Sequence, residues 1–367
     1  MSALRTMTVA GTRPELIRLS LLVPLLDDAT DHTFVHTGQN TGPDLHDQFL
    51  DELAIRDPDV QLALPAGSAA ERVAAVLTQV DALLAEVAPQ RLVILGDTDS
   101  GMCAYAAARR GIPVVHLEAG NRAHDPRVPE EINRRVIDDL STVLLPYTES
   151  SAGNLRREGV ADDRIVVIGN PIVEVLAAHR LAIRARRCAA RLGLPARFVL
   201  ATVHRAETTD DPAVLRSVVA ALAAVGASLD APVVLPLHPR TAQRLAAADV
   251  TLDADRFVTT RPLGFVDFVS LEGDATLVLT DSGTVQEETA VLGIPTVLVR
   301  DVTERPELLA CGAVVLGGRT TASIGAAVEQ VLRDGPSGEL PAEYAIADVA
   351  ARAAAVVVDD RWGGAPT

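Results

Sequence analysis

Short apolar runs alternate with amphipathic segments along the whole chain, and this alternation restricts the possible folds more than any other feature. In the first half the runs are MTVAG, TFVHTG, RLVILGD, PVVHLEA, TVLLPY and RIVVIG. The second half repeats the pattern with RFVLATVH, APVVLPLH, RFVTTR, ATLVLTD, PTVLVRD and AVVLGG. Strands that are apolar along their whole length are typical of parallel sheets covered by helices on both faces. We therefore predict an α/β fold with two doubly wound domains.

The length of 367 residues also favours two domains, because single hydrophobic cores rarely grow beyond roughly 300 residues. An Ala- and Arg-rich helical segment from about Pro171 to Leu194 contains the predicted boundary. We predict a first domain over residues 1–175, a second over 176–345, and a C-terminal helix within 346–367 that packs back on the first domain. Ligands of parallel sheets bind outside the carboxyl ends of the strands, so a cleft between the two domains is the expected site.

The charge and the rare residues of the chain limit its partners. The formal net charge is −16, which repels nucleic acid and anionic membrane surfaces. The three cysteines are far apart and the eight histidines show no paired ligand spacing, so we expect neither a disulfide framework nor a metal site. We find no signal-peptide pattern, no run of about 18 apolar residues and no nicotinamide, Walker or zinc motif. A cytoplasmic protein without a cofactor is the expectation.

Carboxylates follow two successive apolar runs. Asp97 ends RLVILGD, Glu118 ends PVVHLE, and Glu130 and Glu131 lie at the start of the next predicted helix. Carboxylates gathered at one sheet edge repel each other, and such clusters favour proton transfer near neutral pH. Asp97, Glu118 and Glu130 are therefore candidates for acid–base chemistry, with Glu131 supporting the helix start. A plain capping role for Asp97 or Thr98 is the alternative.

Basic residues accompany these carboxylates. In GTRPELIR, residues 11–18, Arg13 and Arg18 are placed to face a phosphate at a helix amino terminus, or else are the solvated arginines of an ordinary turn. The stretch from 118 to 135 adds further arginines, of which several are expected to be ion-pair partners of the carboxylates and others ligand contacts. They are Arg122, Arg127, Arg134 and Arg135, and among them Arg122 and Arg134 are the candidates for substrate contacts.

The second half has its own polar residues at strand ends. His204 and Arg205 directly follow the first apolar run of that half, and His238 ends the next run. A lone histidine is more often structural, but at the carboxyl end of a strand a pyrophosphate contact is favoured for His204. His238 is a weaker candidate for the same site.

The run LTDSGTVQEETAVLGIPTVLVRD, residues 279–301, is the most specific in the second half. Ser282 and Gly283 are predicted to open a helix whose free amides bind phosphate, with Asp281 or Ser282 as its N-cap. One turn further on, Glu288 or its neighbour offers a carboxylate to ribose hydroxyls. Arg305 lies on the following loop.

Taken together, these motifs resemble the non-hydrolysing UDP-N-acetylglucosamine 2-epimerase family, which has the glycosyltransferase-B architecture of two facing Rossmann-like domains. The resemblance rests on GTRPE, HTGQN, LGDTDS, HLEAGNR, PEEINRR, GNPI, HRAE, DSGTVQEE and RDVTERPE, in the family's order and spacing. It implies that Asp97, Glu118 and Glu130 are the catalytic carboxylates and that His204 belongs to the site. It also implies a homodimer and places four residues against the UDP diphosphate and ribose: Arg13, Ser282, Gly283 and Glu288.

The chain departs from the family pattern at several positions. Arg18 stands where members often have Lys, Ala206 where many have Arg, and Thr284 where many have Gly. GNR replaces the GLR of the plain UDP-GlcNAc enzymes, and GNRAHDPRVPEEINRR is more similar to the subgroup acting on modified sugars, such as UDP-2,3-diacetamido-glucuronic acid or UDP-acetamido-fucose. HTGQNTGPDLHDQ, residues 36–48, lacks the continuation associated with allosteric UDP-GlcNAc binding.

The resemblance predicts an isomerase that inverts carbon 2 of a UDP-N-acetylhexosamine, with UDP-GlcNAc to UDP-ManNAc as the default pair. The reaction would eliminate UDP to give a 2-acetamidoglucal and then add UDP back. Four alternatives stay open: a modified UDP-sugar as substrate, a hydrolysing variant that releases ManNAc and UDP, a glycosyltransferase, and a non-catalytic nucleotide-sugar sensor. Three clustered carboxylates argue against the glycosyltransferase, since transfer from UDP seldom needs them.

Overall fold

A computed structural model describes residues 3–39, 49–336 and 338–362 of the chain. The described residues form two compact units, one from Met1–Val175 with Ala342–Thr367 and the other from Leu176–Pro341. Each unit contains a six-stranded sheet whose neighbouring strands all run parallel. The predicted α/β class with two doubly wound domains is confirmed.

The first unit has the strand order β3-β2-β1-β4-β5-β6. The strands are β1 (Arg5–Ala10), β2 (Asp31–His36), β3 (Val60–Gln61), β4 (Arg91–Leu95), β5 (Val114–Leu117) and β6 (Val143–Leu145). Its α-helices are Arg13–Leu19, Leu22–Ala29, Ala69–Val87, Ala104–Arg109, Pro129–Leu140, Glu149–Arg157 and Val349–Val358. Short 3₁₀ helices cover Asp99–Cys103, Asp162–Arg164, Ala342–Ala345 and Asp360–Trp362.

The core of the first unit explains why its central strands are uniformly apolar. All residues of β4 and β5 are buried, as a sheet covered on both faces requires. The helix Ala69–Val87 packs Val76, Val80 and Leu84 against side chains of β1 and β4. Its start is fixed by a capping box, because Ser68 Oγ accepts the amide of Glu71 and the Glu71 carboxylate accepts the amide of Ser68.

The second unit has the strand order β12-β11-β10-β7-β8-β9. The strands are β7 (Val199–Thr202), β8 (Val233–Pro236), β9 (Phe257–Thr260), β10 (Leu277–Thr280), β11 (Thr296–Leu298) and β12 (Val315–Leu316). Its helices are Cys188–Arg191, Ala206–Thr209, Pro212–Ser228, Pro239–Ala247, Phe265–Asp274, Val285–Leu292, Pro306–Ala310 and Thr321–Asp334, and Pro171–Arg186 contains the boundary between the units.

Helices cover both faces of the second sheet. Val199 and Ala201 belong to one buried cluster, whereas Phe198 and Leu200 belong to another. Alternate side chains of a strand point to opposite faces, so each face has its own core. In the part of the chain that the structure describes, no helix is both long and apolar enough to cross a membrane.

One predicted strand does not form. RIVVIG, residues 164–169, makes only an isolated parallel bridge between Ile165 and Leu144. The amides of Val166 and Ile168 donate to the carbonyls of Leu144 and Pro146. Proline has no N–H to donate in return, so the ladder cannot continue beyond the end of β6.

Candidate active site

The strand order of each sheet reverses at one point. In the first sheet this point lies between β1 and β4, and in the second sheet between β7 and β10. Doubly wound sheets bind ligands at the carboxyl ends of the strands that flank such a reversal. The loops concerned carry GTRPE after β1, GDTD after β4, HRAE after β7 and DSGT after β10.

A buried glutamate joins the two loops of the first unit. One oxygen of Glu15, Oε2, accepts the amides of Gly11 at 2.8 Å and Thr12 at 2.6 Å, and the other accepts the hydroxyl of Thr98 at 2.7 Å. Burial raises the pKa of Glu15 to about 7, although these hydrogen bonds favour the ionised form. Glu15 therefore holds the loop after β1 against the loop after β4.

Asp97 is held by the helix Pro129–Leu140. Arg134 Nε lies 3.0 Å from Asp97 Oδ2, Nη2 makes a second short contact with the same oxygen, and Nη1 lies 3.2 Å from Glu131 Oε2. Glu131, predicted only to support the helix start, also accepts the amide of Ala123 at 2.9 Å. The side chain of Asp97 is 19% exposed while that of Arg134 is 3% exposed. The carboxylate thus keeps an open side, whereas Arg134, predicted as a ligand contact, is a partner of Asp97.

Glu118 lies at the end of β5, the strand next to β4. Its φ of 69° is in the left-handed region, which non-glycine residues rarely adopt and which is common at functional sites. Arg18, from the helix Arg13–Leu19, is buried with its Nε 3.6 Å from Glu118 Oε2. The sequence predicted a phosphate contact for Arg18, and the structure places it against this carboxylate instead. Glu130 is half-buried in the first turn of its helix.

The structure corrects the prediction for Arg122. Its side chain has 0% exposed area, and its guanidinium contacts Asp138 at 2.8 Å and Glu158 at 2.9 Å. A guanidinium enclosed in this way has a structural role rather than a ligand contact. Arg127, which pairs with Asp125, lies on the surface with 78% of its side chain exposed. The ion-pair role that the sequence suggested for several of these arginines is confirmed.

The remaining predicted residues of the first unit lie near the same edge. Arg13 is the first residue of its helix, and its guanidinium lies 5.0 Å from the ring centroid of Phe49. Burial lowers the pKa of Arg13. Thr98 is the N-cap of the 3₁₀ helix Asp99–Cys103 and accepts the amide of Ser100 at 3.2 Å, so capping belongs to Thr98 rather than Asp97.

In the second unit, Asp281 connects the loop after β10 to the loop after β7. Its carboxylate accepts the amides of His204 and Arg205, each at 2.9 Å, and lies 3.2 Å from His204 Nδ1. Burial opposes ionisation of Asp281, but His204 and the two amides outweigh it and lower the pKa. The sequence predicted Asp281 as a helix cap; the helix Val285–Leu292 instead begins after Thr284. The His204 side chain is 43% exposed and available to a ligand.

Ser282 and Gly283 form the turn before that helix. Ser282 Oγ accepts the amides of Thr284 at 3.3 Å and Val285 at 3.5 Å and so closes this turn. The sequence predicted the same residues to lie at the start of the helix. A Cβ atom on Gly283 would lie 2.3 Å from Glu304 Oε1. Only glycine leaves this turn undisturbed, which permits a close approach to its backbone.

The predicted arginines of the second unit are paired with carboxylates. Arg205 Nη2 lies 3.7 Å from Glu304 Oε1, with 15% of the arginine side chain exposed. Arg305 is buried, with its Nε 2.6 Å from Glu287 Oε1. Both arginines therefore organise the loops around DSGT through ion pairs, and Arg205 has the more accessible position.

His238 lies beside His204. It is the N-cap of the helix Pro239–Ala247, and its Nδ1 accepts the amide of Arg240 at 3.2 Å. The two imidazole centroids are 6.3 Å apart. The structure thus brings together the two histidines that end neighbouring strands.

Glu288, the predicted ribose ligand, is buried beside a second glutamate. Glu272, near the end of the helix Phe265–Asp274, is fully enclosed. Burial raises the pKa of Glu272 well above its usual value, and the neighbouring Glu288 raises it further. Burial and the neighbouring carboxyl group therefore both favour the neutral form of Glu272.

Several organising residues are absent from the sequence prediction. A capping box, Thr12 with Glu15, was a readable signal for Glu15, because Glu three residues after Thr is the usual pattern. No sequence signal pointed to Glu272, or to the pair of His116 and Asp138 that lies beneath the first loops. Their roles arise from contacts between segments that are distant in sequence.

Among the described residues, no group of three or more His, Cys, Asp or Glu side chains is arranged to hold a metal ion. The stretch 36–48, on which the expectation about allosteric binding rests, is described as far as Gln39, and residues 40–48 lie outside the described residues.

Comparison with known proteins decides the family. A sequence profile described as UDP-N-acetylglucosamine 2-epimerase matches residues 26–357. The chain belongs to the UDP-N-acetylglucosamine 2-epimerase family. A 2-epimerase of this name from Methanococcus maripaludis is 31% identical over 352 residues, which cover 90% of this chain and 95% of the relative. The UDP-2,3-diacetamido-2,3-dideoxy-D-glucuronate 2-epimerase of Pseudomonas aeruginosa is 35% identical over 320 residues, covering 86% and 88%.

Solved structures of 2-epimerases share the fold. The Methanocaldococcus jannaschii UDP-GlcNAc 2-epimerase, in complex with UDP-GlcNAc and UDP, matches with a TM-score of 0.91 and 31% identity, covering 96% of this chain and 98% of that one. The 2-epimerase of Rickettsia bellii matches with a TM-score of 0.89 and 32% identity, covering 97% and 96%. The glycosyltransferase-B architecture implied by the sequence motifs is confirmed.

Proposed function

We propose that this protein inverts carbon 2 of a UDP-N-acetylhexosamine, with UDP-GlcNAc and UDP-ManNAc as the default pair. The observation that carries the proposal is the placement of Asp97 and Glu118 at the carboxyl ends of adjacent strands in a 2-epimerase chain. Two partly accessible carboxylates at neighbouring positions suit a reaction that removes a proton from one face of a carbon and returns it to the other.

The chemistry begins with departure of UDP. Carbon 2 has no neighbouring carbonyl, so its proton becomes acidic only as the bond from carbon 1 to the diphosphate oxygen breaks. A carboxylate takes that proton, the electron pair forms the double bond between carbons 1 and 2, and UDP leaves with the electrons of the broken bond. Re-addition of UDP to carbon 1, with a proton delivered to the other face of carbon 2, gives the epimer. Asp97, Glu118 and Glu130 are our candidates for these proton transfers.

We assign the UDP contacts to both units. In the second unit, the exposed face of His204 and the turn Ser282–Gly283 support a diphosphate contact, and Glu288 supports a ribose contact. In the first unit, Arg13 is the candidate that keeps a half-buried position at a helix amino terminus. Arg18, Arg134 and Arg305 act through the carboxylates they contact.

A second substrate class deserves equal testing: UDP-sugars that carry further amino or acid groups. The Pseudomonas aeruginosa relative, named as a 2,3-diacetamido-glucuronate 2-epimerase, is 35% identical to this chain. Asn121 of GNR, the residue that suggested this class, is buried and accepts the Ser151 hydroxyl at 2.8 Å. Its Nδ2 has no hydrogen-bond partner among the described residues, so Asn121 still has a donor to offer a substrate group.

Proton exchange in deuterated water tests the proposal. The protein is incubated with UDP-GlcNAc, UDP-ManNAc and the UDP-2,3-diacetamido-glucuronate pair, and the recovered sugars are analysed by proton NMR. We expect deuterium at carbon 2 and both epimers in the mixture. Free UDP with free ManNAc would indicate the hydrolysing variant, and recovery of every sugar unlabelled would rule out epimerisation of this panel.

We further propose a cytoplasmic homodimer. The homodimer rests on the family resemblance, and the three cysteines, all free thiols, support a reducing compartment. Light scattering coupled to gel filtration should give twice the mass of the chain, and a monomer mass at micromolar concentration would contradict the proposal.

A further inference from the structure

A buried chain of charged side chains lies beneath the loops that carry Asp97 and Glu118. His116, in β5, contacts Asp138 Oδ1 through Nδ1 at 2.8 Å and the Gly96 carbonyl through Nε2 at 2.8 Å. Asp138 Oδ2 accepts the Gly120 amide at 3.1 Å and contacts Arg122 Nη1 at 2.8 Å. The His116 side chain has 0% exposed area and that of Asp138 has 4%.

The partners of His116 determine its charge. A backbone carbonyl only accepts hydrogen bonds, so Nε2 must carry a proton to contact Gly96. Asp138 Oδ2 accepts the Gly120 amide and pairs with the Arg122 guanidinium, and both contacts favour the ionised carboxylate whatever the charge of His116. Nδ1 therefore faces an ionised carboxylate and must also donate. An imidazole that donates from both nitrogens is an imidazolium.

The two ends of this network contact the backbone close to two of the three candidate catalytic carboxylates, Asp97 and Glu118. Gly96 precedes Asp97, and Gly120 lies two residues after Glu118. Gly96, Glu118 and Gly120 all have φ in the left-handed region, at 76°, 69° and 78°. Backbone in this region persists only where its surroundings fix it.

We propose that His116, through its two buried hydrogen bonds, is a positioning residue that fixes the loops of Asp97 and Glu118 relative to each other, so that both carboxylates face the same carbon. This role in catalysis rests on the proposed epimerisation, whereas the imidazolium state does not. The charged groups around it are Asp138 from the helix Pro129–Leu140, and Arg122, which in turn contacts Glu158.

The chain offers a matched control in the same sheet. His32, in β2, also pairs with a carboxylate, since its Nδ1 lies 2.6 Å from Asp27 Oδ1. Its Nε2 contacts the Thr8 hydroxyl at 2.8 Å. A hydroxyl can donate a hydrogen bond, so Nε2 of His32 can accept it without carrying a proton. Burial lowers the pKa of His32, which favours the neutral ring.

The test combines nitrogen-15 NMR of histidine-labelled protein with kinetics. In the wild type at pH 7 we expect both His116 nitrogens to show the shifts of an imidazolium, and His32 to show one unprotonated nitrogen. The shift of an unprotonated nitrogen at His116 at pH 7 would overturn the charge assignment, whether or not the protein is an epimerase.

For the positioning role, His116→Gln should lower kcat about 100-fold with little change in KM, the size expected for a displacement of about 1 Å. His32→Gln should keep the wild-type kcat. Asp138→Asn, which preserves side-chain volume, should reproduce the loss of kcat and abolish the imidazolium signal. A wild-type kcat in His116→Gln or Asp138→Asn would overturn the positioning role.

If neither variant folds, the wild type itself provides the test. Its rate of deuterium exchange at carbon 2 should fall together with the imidazolium signal of His116 at alkaline pH. If the two quantities change independently, the positioning role is overturned.

Discussion

Asp97 combines two requirements that conflict in most protein interiors: a stable negative charge and access to a ligand. Arg134 holds it from the buried side, and the pair is itself connected to Glu131. Ion pairs at this depth hold geometry even where their net contribution to stability is small. The Asp97 side chain is still 19% exposed, so a ligand can reach the carboxylate.

Replacement of this carboxylate should stop catalysis without unfolding the chain. In Asp97→Asn the amide keeps the shape of the side chain but cannot accept a proton, so we expect kcat to fall by about 10²–10⁴-fold. Incorporation of deuterium at carbon 2 is the measurement. Asp81→Asn, which removes a surface pair with Arg110, is the control and should retain full exchange. Equal activity in the two variants would remove Asp97 from the mechanism.

The neutral Glu272 predicts an unusual dependence of stability on pH. The pKa of Glu272 is raised in the folded state. Its contribution to folding stability is therefore largest below the pKa of glutamate in the unfolded chain, about 4.3, and is lost as the pH rises towards the pKa in the folded state. Glu272→Gln cannot ionise and can donate an N–H to Glu288. We expect it to be more stable than the wild type by about 1–3 kcal/mol at pH 7, with a smaller difference at pH 4.5.

Urea unfolding at the two pH values measures this difference. Glu71→Gln, on an exposed capping box, is the reference for a neutralised surface glutamate, and it should lose a little stability because its carboxylate accepts the Ser68 amide. A Glu272→Gln variant that is less stable than the wild type at pH 7 would contradict the raised pKa of Glu272.

At the scale of elements, the helix Pro129–Leu140 organises the first unit. One face of this helix presents Glu131 and Arg134 to the loops of Ala123 and Asp97, and one turn later Asp138 to Gly120 and His116. Residues three or four apart lie on the same side of a helix, so a single rigid element sets the positions of several loops.

The loops between elements should differ in their tolerance of a methyl group. Gly111 and Gly120 both have positive φ, so an alanine at either position costs about 1–2 kcal/mol of backbone strain. A Cβ at Gly120 would also lie 2.4 Å from the Ser151 carbonyl oxygen, while at Gly111 it would meet nothing within 4 Å. In urea unfolding, Gly120→Ala should therefore lower the free energy of unfolding clearly more than Gly111→Ala. Equal decreases in the two variants would show that the loop after Glu118 can shift to accommodate the methyl group.

The strands and the principal helices could be predicted from sequence because their signal is local. Eleven of the twelve strands in the two sheets coincide with predicted apolar runs, whereas RIVVIG makes only one bridge. The two-residue strand β3, Val60–Gln61, was not predicted, because it is too short to form an apolar run. The start of the helix at Val285 was placed two to three residues too early, because the Ser282 hydroxyl that looks like a cap closes a preceding turn.

The candidate site was predictable in its residue types but not in its pairings. The sequence placed Asp97, Glu118 and His204 at strand ends, as the structure has them. It could not show that Arg18 turns towards Glu118 or that Arg122 is enclosed, because both outcomes depend on contacts with distant segments. Buried ion pairs of this kind have no periodicity along the chain.

At the scale of the whole molecule, the net charge of −16 opposes the approach of an anionic nucleotide sugar. We therefore expect binding to depend on local donors, such as the amide of Gly283 in the turn Ser282–Gly283 and the exposed side of His204. The Ser282 amide of this turn already donates to Thr280 Oγ1 at 2.9 Å. A single methyl group in that turn should have a large effect on affinity.

UDP should stabilise the protein by mass action, by about 2.7 kcal/mol at a concentration of 100 times its Kd. In Gly283→Ala the added Cβ would lie 2.3 Å from Glu304 Oε1, so either the turn or the Glu304 carboxylate, which pairs with Arg205 and Arg300, must move. We expect most of this stabilisation to disappear. Gly273→Ala, whose Cβ meets nothing within 4 Å, is the control and should respond to UDP like the wild type. Thermal unfolding with and without UDP gives both values, and an undiminished response in Gly283→Ala would count against a UDP contact at this turn.

The first unit is assembled from two separate stretches of chain. After the second unit ends at Pro341, the helix Val349–Val358 returns to pack against the helix Leu22–Ala29, with Val349, Ala353 and Val357 buried. During synthesis the ribosome therefore finishes the second unit while the first still lacks one of its helices. The second unit can complete its core as a continuous segment. The first unit, which contains Asp97 and Glu118, cannot complete its core until the helix Val349–Val358 has been synthesised.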